Sequence, residues 1–136
     1  MTFRLRRATA ITVLLAGAIG LASAGTVRLT GEQATPPVKT MARGAGVINV
    51  AADGSITGKI DTHGIKGMMA HIHEGAPGHE GPAIIALVPG PHGSWVVPAG
   101  SKLTPRQYRE FLAGKLYVNV HDAAHPGGVI RGQLKP

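Results

Sequence analysis

The chain has 136 residues, with 14 Lys and Arg against 7 Asp and Glu, no cysteine and only 4% aromatic residues. That length makes one domain, and the absence of cysteine excludes a disulfide-stapled scaffold and any thiolate metal site. Three of the basic residues fall before position 25 and the others are scattered singly, so no basic, aromatic-interleaved surface for nucleic acid is expected.

Arg4, Arg6 and Arg7 open the chain with positive charge, and Ala8 to Leu21 is uncharged and rich in Ala, Ile, Leu and Val. Ala22-Ser23-Ala24 then gives the small-x-small pattern that signal peptidases cut, so 1–24 reads as a secretory signal cleaved after Ala24. An uncleaved anchor would want roughly 20 apolar residues, and this run is shorter. No cysteine follows it as a lipoprotein cut site, and no later stretch approaches spanning length. The expectation is a soluble periplasmic or secreted protein with no membrane span after signal cleavage.

Residues 25–43 are polar, contain Pro36-Pro37, and read as a tether or a loosely held strand ahead of the domain proper at 44–136. Gly46 to Val50 reads as a strand turning at Ala-Asp-Gly into a partner over Ser55 to Asp61. Further strands follow at Met68 to His73, Pro82 to Val88 and Ser94 to Val97, each closed by Gly or Pro. Thr104 is a good N-cap, Pro105 suits the first helical position and Gly114 the stop, so 104–113 is predicted as one short helix with Tyr108, Phe111 and Leu112 on one face. Lys115 to His121 alternates, with Leu116, Val118 and Val120 on one face and Tyr117, Asn119 and His121 on the other. Val129 to Leu134 is the last strand. Strands about every ten residues predict an all-β, antiparallel sandwich or barrel.

The histidines carry the visible chemistry. His71 and His73 sit at i and i+2 on a strand and so project from the same face. His121 ends a second strand, His125 follows it in a Pro-Gly loop, and His79 lies in the loop after the first pair. Neutral imidazole suits copper, zinc, iron or nickel, and Glu74, Glu80 and Asp122 are candidate oxygen donors. The candidate ligands are His71, His73, His121 and His125, with His79 a weaker fifth. Glu74, Asp122 and Arg131 are candidates to support them. His63 and His92 stand alone beside turn residues and are read as structural.

Ala70-His71-Ile72-His73-Glu74-Gly75-Ala76-Pro77-Gly78-His79-Glu80-Gly81-Pro82 resembles the first motif of the CHRD (chordin-type) domain family. Gly114 to His121, His125-Pro126-Gly127-Gly128 and Ile130-Arg131-Gly132-Gln133-Leu134 resemble its closing motif. The likeness spans about Ala45 to Leu134. It implies an extracytoplasmic Greek-key β-sandwich of immunoglobulin-like type, a module rather than a reaction. One departure is Val129, where the family usually has Glu before the Ile-Arg pair. If that carboxylate orients Arg131 or a histidine, its role here passes elsewhere, to Glu74 or Asp122.

His71-x-His73 and Val120-His121 are also similar to the copper-ligand strands of copper/zinc superoxide dismutases, which implies His71, His73 and His121 as ligands. That likeness lacks a cysteine pair, a zinc loop and a clear bridging histidine. Gly75, Gly78 and Gly81, spaced by three, read as structural glycines of a compact loop. Three readings result. The first is a small exported binding module holding a transition metal, copper ahead of zinc. The second is a metal-free module docking to a protein or envelope component, and the third a superoxide-dismutase-like enzyme. No nucleophile or paired-carboxylate arrangement is present, so no catalytic residue is assigned.

Overall fold

The structure is a computed structural model that describes residues 25–136; the expected secretory signal over 1–24 lies outside the described residues. Among the described residues nine strands form one antiparallel sheet: β1 (Thr26–Thr30), β2 (Arg43–Val50), β3 (Ile56–His63), β4 (Met69–Glu74), β5 (Ala83–Ala86), β6 (Val88–Pro89), β7 (Ser94–Val96), β8 (Leu116–His121) and β9 (Ile130–Gln133). The α-helix among the described residues, α1 (Pro105–Leu112), lies between β7 and β8. The spatial order is β5-β4-β8-β9-β1-β2-β3-β7-β6.

The two ends of that order are consecutive in the chain. β5 pairs with β4 and, one residue later, β6 pairs with β7. Leu87 makes the switch, its buried side chain in the core and its N–H donating to the Ala70 carbonyl at 2.9 Å. The sheet therefore curls into a nearly closed sandwich. The run expected as one strand at Pro82 to Val88 is one stretch of chain with two partners. The connections from β3 to β4 and from β7 to β8 skip neighbours, which is Greek-key rather than meander topology.

The segment expected as a tether or loosely held strand supplies β1, paired with β2 over five residues and with β9 at Thr30. Val27 and Leu29 alternate inward from it and are buried. Leu29, Ile60, Ile72, Val118, Val120 and Ile130 meet in one core. Helix α1 begins with the expected cap: the Thr104 hydroxyl accepts from Gln107 N–H at 3.1 Å and the Gln107 side chain accepts from Thr104 N–H at 2.9 Å. Of its expected apolar face, Phe111 is buried and Tyr108 half-buried, but Leu112 is exposed. Among the described residues no helix is long and apolar enough to cross a membrane.

One feature of β8 was not expected. All six of its residues are buried. Leu116, Val118 and Val120 face the core, and Tyr117, Asn119 and His121 are buried on the outer face, where loops 31–38, 75–82 and 122–128 cover them. That covered outer face holds the histidines.

Candidate metal centre

Strand pairing brings the histidines together. In the β4–β8 register Met69 lies opposite His121, His71 opposite Asn119 and His73 opposite Tyr117. His71 and His121 are thus diagonal neighbours on one face, within reach of long side chains. One nitrogen from each of His71, His73 and His121 lies within 4.8 Å of the other two, a group able to hold a metal ion.

Two of the three rings have a fixed tautomer. His73 Nδ1 is 2.9 Å from the Gly81 carbonyl, and His121 Nδ1 is 2.7 Å from the Pro126 carbonyl. A carbonyl only accepts, so each Nδ1 carries the proton and each Nε2 presents its lone pair. His121 Nε2 faces His71 Nδ1 at 3.3 Å. His73 Nε2 is buried and makes no well-formed hydrogen bond, although the Asn119 side chain lies close enough to the ring to favour its protonated form. Carbonyl-anchored imidazoles with free Nε2 atoms are how proteins orient histidine toward a metal.

The geometry and charge state fit that role. Nitrogens about 2.0–2.1 Å from a shared ion in a tetrahedral site lie roughly 3.3 Å from one another, the separation of His71 Nδ1 and His121 Nε2. His71 Nδ1–H donates there in the absence of metal, and would have to move its proton to Nε2 to bind one. His71 bonds to a histidine rather than to backbone, so its ring is the adjustable one. Burial lowers the pKa of His71, and the nearby His121 and His73 rings lower it further. Burial also lowers His73, against the raising effect of its bond to Gly81, and His121 adds to the lowering. Both are therefore held in the neutral form a metal requires.

A stack of side chains backs the group. Tyr117, on the strand between β4 and β9, lies parallel to the His73 ring with centroids 4.9 Å apart, and its hydroxyl accepts from Gly81 N–H at 3.1 Å. The Arg131 guanidinium carbon lies 3.5 Å from the Tyr117 ring centroid. Arg131 is buried and donates to the carbonyls of His79 (2.8 Å) and Ala76 (2.9 Å), to Gln133 Oε1 (3.0 Å) and to Thr35 Oγ1 (3.2 Å). Gln133 in turn donates to the carbonyls of Gly75 and Gly114. Arg131 and Gln133 together shape the loop whose Gly81 carbonyl fixes His73.

The remaining candidates fall outside the group. His125 Nδ1 is 2.9 Å from Asp122 Oδ1, and Asp122 also accepts from His125 and Ala124 N–H groups. Those bonds outweigh desolvation and hold the Asp122 carboxyl below its usual pKa. His79 is exposed and contributes its backbone carbonyl rather than its ring. Glu74 alternates away from His73 and pairs with Arg106 at 2.8 Å. Val129, where a carboxylate was expected, is buried in the core cluster. Neither Glu74 nor Asp122 takes a carboxylate's place at Arg131, whose four bonds go to uncharged oxygens.

The glycines divide in role. Only Gly78 of the three has positive φ, at 78°. A Cβ on Gly81 would overlap the Glu74 carbonyl oxygen, and one on Gly75 would crowd the Tyr117 ring and the His79 carbonyl. Sequence reasoning missed Tyr117, Gln133, Gly81 and Pro126 as parts of the site. Tyr117 was legible as an outer-face neighbour of His121; the two carbonyls were not, because they depend on loop paths.

Comparison with curated proteins and with solved structures finds no match. The family model described as the CHRD domain matches residues 25–134, which includes β1 as well as the two histidine-bearing motifs. The chain belongs to the CHRD domain family.

Proposed function

We propose that this CHRD domain is a small exported module that binds a transition metal, copper ahead of zinc, through His71, His73 and His121. The observation that carries this reading is the pair of carbonyl-anchored imidazoles, His73 and His121, which group with His71 so that one ring nitrogen of each lies within 4.8 Å of the others. His121 has both ring nitrogens bonded, whereas His73 Nε2 meets no well-formed hydrogen bond beside the nearby Asn119 side chain, which leaves it the nitrogen most open to an ion. With three nitrogen donors and no thiolate, the site suits copper or zinc. Export, read from the first 24 residues, would place it where metals arrive from outside. The Arg131–Tyr117–His73 stack acts as support, orienting a ligand without touching the ion.

The test is titration with copper(II) and with zinc. The parent should bind one ion, and His71→Ala and His73→Ala should each weaken binding by about 10–100-fold or more, the scale on which even outer-shell changes act. Variants that bind both metals as well as the parent would end the proposal.

A further inference from the structure

Met69 borders the histidine group without a role in it. It lies two positions before His71 on β4, so Met69, His71 and His73 share one face while Ala70 and Ile72 enter the core. It is also the direct cross-strand partner of His121, which sets their Cβ atoms about 4.5–5.5 Å apart. Met69 therefore adjoins two of the three imidazoles. The other end of the group is closed by Tyr117 stacked on His73.

Methionine ordinarily fills gaps in a core. Here the three methionines among the described residues are all exposed: Met41 by 88%, Met68 by 64% and Met69 by 52%. Met68 N–H donates to the His121 carbonyl at 2.8 Å, which holds the Met68-Met69 pair against the end of β8. Only Met69 shares the histidine face. Its unbranched, three-bond side chain can place a soft thioether beside the imidazole nitrogens, and thioether donors select copper(I) over harder divalent ions.

We propose that Met69 supplies its thioether sulfur as a fourth ligand beside His71, His73 and His121, so that the centre holds copper(I) in preference to zinc. This rests on the histidine site proposed above. The site is then a three-nitrogen, one-sulfur centre whose sulfur stands on its exposed side.

The experiment is an anaerobic competition titration of purified protein against copper(I)–bicinchoninate, with a parallel zinc titration. It compares the parent with Met69→Leu, Met68→Leu and His71→Ala. Met69→Leu is expected to weaken copper(I) by at least about tenfold, equal to about 1.4 kcal/mol, with zinc affinity unchanged and Met68→Leu behaving as the parent. Equal copper(I) affinity in Met69→Leu and parent overturns the proposal, as does an equal loss for both metals. X-ray absorption of the copper(I)-loaded parent should show a sulfur scatterer, and its absence also overturns it. If His71→Ala loses copper(I) while Met69→Leu does not, the methionine proposal fails and the histidine site stands. If His71→Ala binds as tightly as the parent, or the parent binds neither metal, both fail.

Discussion

Tyr117 lies flat against His73, their rings 4.9 Å apart and 7° from parallel, and it joins the histidine face to a buried arginine. Arg131 satisfies four acceptors with one planar fork, including two carbonyls of the loop that fixes His73. A lysine cannot reproduce that fork. Arg131→Lys should destabilise the protein by about 1–3 kcal/mol, because part-buried acceptors lose donors. It should also weaken metal binding through the loosened loop. Urea unfolding and the copper titration check both effects, and a variant within about 0.5 kcal/mol of the parent, the range of ordinary surface changes, would contradict this role.

Gly81 and Gly78 offer a sharper contrast. Alanine at Gly78 meets no atom within 4 Å and suffers only from its φ of 78°, a cost of about 1 kcal/mol. Alanine at Gly81 overlaps the Glu74 carbonyl, so the backbone must move and release both the His73 and the Tyr117 bonds. Gly81→Ala should therefore lose more stability than Gly78→Ala and should also lose metal affinity. Paired denaturation and titration curves decide it, and equal behaviour of the two variants would count against the loop's role.

Acid should act on the metal-free protein through His71 and His73. Both have pKa values lowered from 6.5 in the fold, chiefly by burial. Below 6.5 the unfolded chain takes up protons that the folded protein resists, so the unfolded state binds more protons in that window. Stability then rises with pH, and falls as pH drops below about 6.5. The urea midpoint should be lower at pH 5 than at pH 7. The drop should shrink in the His71→Gln/His73→Gln double variant, and a parent midpoint that stays constant would refute the shift.

A metal that binds only the folded state raises stability by mass action. Copper(II) at about 100 times its Kd should add about 2.7 kcal/mol, and His73→Ala should remove most of that gain. Thermal unfolding with and without the ion, followed by addition of a chelator, measures it. Equal stabilisation of parent and variant would point to binding elsewhere on the surface.

Much of this architecture could be read from residue patterns. The alternation in Leu116 to His121 placed His121 on the outer face, and His71-Ile72-His73 announced a shared face by its period of two. The capped helix followed from Thr104, Pro105 and Gly114. Other parts depend on partners distant in sequence. Leu87 switches the chain between two edges, and the apolar run around it does not record which strand lies on either side. β1 was underestimated because its Thr and Arg residues mask the inward alternation of Val27 and Leu29. At the site, His125 sat close to His121 in sequence and had the right chemistry, but its Nδ1 is engaged by Asp122. The carbonyls of Gly81 and Pro126 carry no side-chain signature at all, yet they fix which nitrogen each histidine presents.

The most direct measurement is X-ray absorption of the protein loaded with one equivalent of copper(II), taken for the parent and for His73→Ala. Imidazole scattering from three histidines is expected in the parent, with one imidazole lost in the variant. An oxygen-dominated shell in the parent, or an unchanged histidine count in His73→Ala, would contradict the three-histidine centre.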